Sequence, residues 1–139
     1  MAILIDTSVI ADLERARQPL SPLRAAFGPD ARLYVSSVVV AELLLGVELA
    51  ESAPQRTRRS TFVEAVLLQI GVLPFGVLEA RVHAETAAVL RSLGVAVGAH
   101  DLLIAATALA HDLPVATANA AEFGRIPGLR VISTRTGGA

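Results

Sequence analysis

Hydrophobic residues along the chain fall into short continuous runs that alternate with longer stretches of helical periodicity. The short runs predict strands at 2–5, 33–35, 72–75, 115–117 and 129–132. The longer stretches predict helices at 7–17, 38–51, 54–70, 77–93 and 100–111, with a short helix after Pro22 that ends near Gly28. Continuous aliphatic strands separated by helices indicate an α/β fold, with a parallel sheet of four to five strands flanked by helices. In such sheets the functional site lies beyond the carboxyl ends of the strands.

The organisation of the chain predicts one domain. Its 139 residues contain no long linker and no internal repeat, so we expect the domain to span 1–133 and a loose tail to span 134–139. No apolar run approaches the roughly 20 residues that cross a bilayer. The N-terminus also lacks the basic region of a signal peptide. We therefore expect a cytoplasmic protein with no membrane association.

The composition excludes several kinds of chemistry. The chain has no Cys, which removes thiol nucleophiles and thiolate metal sites. All 12 cationic residues are Arg, so Walker-A nucleotide binding and Schiff-base catalysis are absent as well. A net charge of −1 provides no overall field to attract nucleic acid, and an anionic substrate would need a local arrangement of charge.

Three carboxylates occupy positions where a solvated acid is not expected. Asp6 ends the first strand and Asp101 opens an apolar helix, and either residue alone is also consistent with a helix cap. Glu42 projects about 180° from Glu51 and about 120° from Glu48, which mark the solvated face of its helix. We therefore expect Glu42 to face the apolar interior, which is costly unless the carboxylate is paired or bound to a metal.

The fourth strand is followed by Asn119 and Glu122, which alone would form a turn and a surface acid. However, each of four polar residues lies at a predicted strand-to-helix junction or first turn: Asp6, Glu42, Asp101 and Asn119. Several carboxylates in one cleft repel one another unless a cation neutralises them, and oxygen ligands suit Mg²⁺ or Mn²⁺. A metal-activated water can cleave a phosphodiester in line. The residues therefore indicate a metal-dependent nuclease.

The three histidines do not form a transition-metal motif. His83 and His111 have no second His or Cys at ligand spacing, and His100 lies beside Asp101. His100 could cap its helix or support the acid beside it. A surface or core position is the simpler interpretation of all three histidines.

Four segments place these polar residues within apolar sequence. They are 3–10 (ILIDTSVI), 37–46 (SVVVAELLLG), 100–106 (HDLLIAA), and 115–123 (VATANAAEF) with 126–129 (IPGL) after it. In this order they resemble the motifs of PIN-domain proteins, and most closely the VapC and FitB-type toxin ribonucleases. The resemblance covers nearly the whole chain and implies a three-layer α/β fold, cleavage of RNA with Mg²⁺ or Mn²⁺, a homodimer, and inhibition by a small cognate antitoxin.

The same resemblance implies a role for each residue of the motifs. Asp6 and Asp101 would be the main metal ligands, and Glu42 would complete the site. The fourth position, Asp or Asn in this family, is Asn119, whose neutral oxygen leaves binding of a second metal ion open. Supporting roles are implied for three further residues: Thr117 through its hydroxyl, Glu122 and Ser8.

Two other functions compete with this interpretation. A phosphatase of the haloacid-dehalogenase kind also begins with Asp after a first strand, but this chain has Thr7-Ser8 after Asp6 and no lysine. The stronger alternative is a PIN-like module that binds RNA or a partner with little or no nuclease activity. Asn119 is the one feature of the sequence that favours it.

The helix at 38–51 carries more apolar surface than one buried stripe requires. Five of its residues contribute to this excess: Leu43, Leu44, Leu45, Val47 and Leu49. Either the helix is completely buried, or part of it forms a groove or an interface. The family resemblance implies an antitoxin helix in such a groove.

Overall fold

Each predicted aliphatic run forms a strand, and one parallel sheet contains them all. The computed structural model describes residues 1–135. The strands are β1 (Ala2–Ile5), β2 (Arg32–Ser36), β3 (Gly71–Leu73), β4 (Val115–Thr117) and β5 (Val131–Ser133). The helices of this part of the chain are α1 (Thr7–Arg15), α2 (Ser21–Phe27), α3 (Ser37–Glu48), α4 (Ala53–Gln69), α5 (Val77–Leu93), α6 (Ala99–Ala110) and α7 (Ala120–Phe123). The predicted α/β fold with a parallel sheet is confirmed.

The order of the strands places β1 at the centre of the sheet. The order is β3-β2-β1-β4-β5, and every neighbouring pair is parallel. The chain moves outward from β1 to β3 and then returns to β4 on the other side of β1. Such a reversal opens a crevice at the carboxyl ends of the two central strands, where ligands bind in open α/β sheets.

The register between β1 and β4 brings distant polar residues to the same level. Ile5 pairs with Ala116, and the backbone N–H of Asp6 donates to the carbonyl of Ala116 at 3.0 Å. Asp6 and Thr117 are therefore neighbours where the two strands end.

The core is mostly aliphatic and includes side chains of the sheet and of α6, the helix that carries the third motif. Ile3, Leu4 and Ile5 are fully buried, and so is the segment 104–108 of α6. Each fully buried aliphatic side chain contributes about 1.5–3 kcal/mol relative to exposure. This burial anchors β1 and α6, the two elements that present Asp6 and Asp101.

Some element boundaries differ from the prediction. The first helix ends at Arg15 rather than at Arg17, because Arg17 has a left-handed backbone (φ 52°). The last strand begins two residues later, at Val131. The sequence 120–123, expected as part of a turn, forms the short helix α7, which buries Phe123 completely in the core.

The predicted loose tail is partly tied to the domain. Thr134 donates its backbone N–H to the carbonyl of Thr117 at 2.9 Å, and Arg135 lies 3.5 Å from a carboxylate oxygen of Asp12. The rest of the predicted tail, 136–139, lies outside the described residues. Across 1–135, no helix combines the length and the apolar character needed to cross a membrane.

Candidate acidic site at the carboxyl edge of the sheet

Asp6 occupies the first position after β1, and the residue is only 3% exposed. Its Oδ2 accepts hydrogen bonds from the hydroxyls of Ser8 (2.7 Å) and Thr117 (2.8 Å). Oδ1 has no such partner among the described residues. The side chain does not cap α1, although Asp6 is the N-cap residue. The carboxylate is therefore fixed through one oxygen and open at the other.

The two hydroxyls that hold Asp6 also organise the turn after β4. Ser8 Oγ accepts the backbone N–H of Ala118 at 3.1 Å, and Thr117 Oγ1 accepts that of Asn119 at 2.9 Å. Thr117 is completely buried. The start of α1 and the β4–α7 turn are thus joined into one hydrogen-bonded unit around Asp6.

Asp101 lies in the first turn of α6 and is half-buried. Burial raises the pKa of its carboxyl, and the neighbouring charges of Asp6 and Glu122 raise it further. A smaller opposing effect comes from His100, and Glu42 adds a last upward contribution. Three other acids of this edge therefore act on the carboxyl of Asp101.

Glu122 lies in the first turn of α7 and reaches across to the start of α6. Its Oε1 accepts the backbone N–H of Gly98, the N-cap residue of α6, at 2.9 Å. A Cβ placed on Gly98 would lie 3.6 Å from that oxygen and 3.7 Å from Oδ2 of Asp101. Glu122 therefore caps α6 immediately beside Asp101, and its other oxygen is 3.8 Å from Arg125.

Glu42 is paired with a histidine. Its Oε2 lies 2.6 Å from Nε2 of His100, and the hydroxyl of Thr7 is 3.5 Å from the same nitrogen. The Glu42 side chain is 44% exposed and the His100 side chain 39%. The pair therefore forms the outer rim of the acidic site.

The expectation that Glu42 faces the apolar interior is wrong. The buried stripe of α3 runs through Val39, Leu43 and Val47. Glu42 is adjacent to this stripe in sequence and is directed about 100° away from Leu43, toward the edge where α6 begins. The carboxylate avoids the cost of burial because it lies at the rim rather than in the core.

Asn119 is the N-cap residue of α7, but its side chain makes no capping hydrogen bond and is exposed. The contact that links it to the acids is made by its backbone, through Thr117. The structure thus brings the four motifs to one edge of the sheet, as the fold predicts, while the Asn119 amide remains outside the hydrogen-bond network.

The acids share one edge without forming a complete ligand sphere. Within residues 1–135, no three His, Asp or Glu side chains are arranged closely enough to hold one metal ion. Glu42 is bound to His100, and Glu122 is bound to the Gly98 backbone. The carboxylate oxygens of this edge that accept no hydrogen bond from the described residues are those of Asp101, Oδ1 of Asp6 and Oε1 of Glu42.

A second buried acid, Glu79, is 5% exposed and was not predicted from the sequence. Its Oε1 accepts the backbone N–H of Gly76 at 2.8 Å, and its Oε2 lies 3.0 Å from Nε2 of His111. The hydrogen bond from Gly76 is the main cause that lowers the pKa of Glu79, and His111 contributes in the same direction. The spacing Gly76-x-x-Glu79 is that of a capping box and was the available signal. The pair joins the start of α5 to the end of α6, at the opposite end of α6 from Asp101.

Comparison with known proteins extends over nearly the whole chain. Residues 3–129 match the PIN domain family. Ribonuclease VapC of Rickettsia bellii is 36% identical over 133 residues, which cover 96% of each chain.

Solved structures show the same fold. A chain of DNA-bound VapBC from Salmonella typhimurium superposes with a TM-score of 0.85 at 27% identity, over 96% of this chain and 98% of that one. A chain of VapBC-5 from Mycobacterium tuberculosis, a member of the VapBC family of toxin-antitoxin systems, has a TM-score of 0.72 at 32% identity over the same shares.

Proposed function

The chain belongs to the PIN-domain family, and from this membership we propose that it is a ribonuclease that hydrolyses RNA phosphodiesters with Mg²⁺ or Mn²⁺. The observation that carries the proposal is the convergence of four acids on one edge of the sheet: Asp6, Glu42, Asp101 and Glu122. There, burial and the charges of the other three raise the pKa of Asp101. Carboxylates that share one edge favour a bound cation, because each one makes ionisation of the others costlier. The similarity to Ribonuclease VapC of Rickettsia bellii supports the choice of RNA as substrate.

The donor set suits a hard divalent cation. Asp6 offers its unpartnered Oδ1, and Asp101 offers a carboxylate that accepts no hydrogen bond from the described residues. Mg²⁺ is commonly held by one or two protein carboxylates and completes its shell with water and substrate phosphate. We therefore assign Asp6 and Asp101 as the main ligands, with Glu42 completing the site. Asn119 is assigned as a neutral residue at its edge.

The bound ion would activate a water molecule and stabilise the negative charge that develops on the phosphate during in-line cleavage. The chain's own residues prepare this site. Ser8 and Thr117 hold one oxygen of Asp6 and leave the other open. Glu122 secures the first turn of α6 through Gly98 and so fixes the backbone that carries Asp101. Without a cation, the same acids repel the phosphates of RNA, which makes substrate binding dependent on the ion.

Cleavage assays on the wild type and on Asp6→Asn test this proposal. The wild type should cleave RNA with Mg²⁺ or Mn²⁺ and not with EDTA, and Asp6→Asn should lose nearly all of this activity while keeping the wild-type circular dichroism. Asp30→Asn removes an exposed carboxylate elsewhere and should cleave normally. If the wild type binds RNA but cleaves none of it with either ion, the chain is a binding module and the proposed activity is wrong.

We further propose that the protein is the toxin of a toxin–antitoxin pair, with a small cognate antitoxin as its partner, and that it forms a homodimer. The similarity to VapBC-5, a member of a family of toxin-antitoxin systems, supports the partner. The surface of α3 supports an interface, because Leu44 and Leu45 are exposed there and Leu49 is exposed at its C-cap. Neighbouring exposed leucines on one helix are typical of a surface that a partner covers.

A further inference from the structure

His100 lies where three helices meet, and each helix carries or directly follows a candidate ligand. It lies in the first turn of α6, immediately before Asp101. Its Nε2 is 2.6 Å from Glu42 on α3 and 3.5 Å from the hydroxyl of Thr7, the first residue of α1 and the neighbour of Asp6. A single imidazole nitrogen thus connects the three segments that carry the proposed ligands.

We propose that His100 is a positioning residue, which donates a hydrogen bond from Nε2 to Glu42 and so keeps that carboxylate at the metal-binding edge. This inference rests on the proposed function. Glu42 is long and 44% exposed, so without a partner its carboxylate would sample many conformations in solvent. The bond engages Oε2 and leaves Oε1 without a hydrogen bond from the described residues. One oxygen is therefore restrained while the other remains open to an ion.

An ordinary surface ion pair is the competing interpretation, since exposed pairs contribute little to stability. The same helix provides a direct comparison. Arg56 lies 3.0 Å from Glu48 of α3, and both of these side chains are exposed. The two pairs differ in location, because the Arg56–Glu48 pair joins α3 to α4 at the far end of α3, away from Asp101. Loss of His100 should weaken metal binding, whereas loss of Arg56 should not.

The test measures Mn²⁺ affinity by isothermal titration calorimetry on the full chain without RNA and at one pH. Hydrogen-bond partners of metal-binding carboxylates typically change affinity by about 10–100-fold, so His100→Ala should bind Mn²⁺ about 10-fold more weakly. His100→Gln places an amide donor close to the position of Nε2 and should recover most of the affinity. Arg56→Gln should bind as the wild type does. Melting curves in EDTA establish that each variant is folded.

A double-mutant cycle with Glu42→Gln then separates positioning from a direct role. If His100 acts through Glu42, adding His100→Ala to Glu42→Gln should cause no further loss of Mn²⁺ affinity. A full additional loss in that background would mean that His100 acts by itself, and the inference would be overturned. Equal Mn²⁺ affinities of the wild type and His100→Ala would overturn this inference alone. A wild type that neither binds Mn²⁺ nor cleaves RNA would overturn the proposed function and this inference together.

Discussion

Thr117 Oγ1 donates a 2.8 Å hydrogen bond to Oδ2 of Asp6, which joins residues that are 111 positions apart in the chain. Thr117 is the last residue of β4 and Asp6 the first residue after β1, so the bond spans the two central strands at their carboxyl ends. The same hydroxyl accepts the backbone N–H of Asn119. One buried side chain therefore sets the orientation of the proposed metal ligand and the shape of the turn beside it.

Replacement of Thr117 by Val should destabilise the protein by about 1–3 kcal/mol, because it removes a buried hydroxyl that donates to Asp6 and accepts the backbone N–H of Asn119. RNA cleavage should fall as well, since Asp6 loses one of the two hydroxyls that hold it. Thr107→Val is a matched control: Thr107 is also completely buried, and its hydroxyl donates to the carbonyl of Leu103. Chemical unfolding measures the stability of both variants, and cleavage rates per folded molecule should fall for Thr117→Val but not for Thr107→Val. Equal activity per folded molecule in both would contradict a role for Thr117 in orienting Asp6.

Replacement of Asn119 should act differently from replacement of the acids. Amide variants of Asp6, Glu42 and Asp101 each remove a charge that holds the cation, so each should nearly abolish cleavage. Asn119→Ala removes only an exposed neutral amide, and a partial loss is expected. Asn119→Asp adds a charge at the site and should tighten Mn²⁺ binding, measured by titration of the cleavage rate. If Asn119→Asp binds Mn²⁺ no better than the wild type does, residue 119 is a turn residue and no ligand.

Removal of the Asp101 charge should stabilise the metal-free protein. The pKa of Asp101 is raised mainly by burial and then by Asp6 and Glu122, so folding opposes its ionised form at neutral pH. In EDTA, Asp101→Asn should melt a few degrees above the wild type. Saturating Mn²⁺ should raise the melting temperature of the wild type and leave that of the variant nearly unchanged, because binding to the native state alone shifts unfolding. The idea fails if EDTA and Mn²⁺ give the same wild-type melting temperature.

The Glu79–His111 pair should make stability depend on pH at the other end of α6. The pKa of Glu79 is lowered below its ordinary value of 4.5, chiefly by the hydrogen bond from Gly76. The folded state therefore favours the ionised carboxyl. This contribution is fully present above the unfolded-state pKa and is lost as the pH falls through the lowered folded-state value.

Glu79→Gln should accordingly destabilise the protein by on the order of 1 kcal/mol at pH 7, because the substitution replaces charge-assisted hydrogen bonds with neutral ones. The difference in unfolding free energy between this variant and the wild type should become smaller as the pH falls below 4.5. Glu85→Gln, at an exposed site of the same helix, should behave as the wild type at every pH. Urea unfolding at pH 7 and near pH 4 measures both effects, and a difference that stays constant with pH would count against the pair.

The exposed leucines of the α3 region should be needed for assembly. Leu45→Ser and Leu49→Ser remove exposed apolar surface, so the fold should be retained while an interface is weakened. Leu68→Ser, on α4, removes an even more exposed leucine from another helix and serves as the control. Co-purification with the cognate antitoxin tests that partner, and sedimentation velocity tests the dimer. If neither assembly changes, α3 is not the interface.

The sequence by itself determined the fold class and predicted the place of the candidate site. The aliphatic runs predicted every strand because a strand buried on both faces needs continuous apolar residues. Parallel strands end at the same edge, so Asp6 and Asp101 could be assigned to one site from their positions at a strand end and a helix start. Backbone periodicity and chain direction were sufficient for these conclusions.

The tertiary structure decided which atoms each side chain meets. Glu42 lies against His100 rather than in the core, and Glu122 caps Gly98. The buried Glu79 is paired with His111 across two helices. These contacts join residues from different elements, and a side chain's rotamer and partner depend on how those elements cross. The sequence pattern predicts the direction in which a side chain projects from its own helix. It does not predict where the neighbouring helix that supplies the hydrogen bond lies.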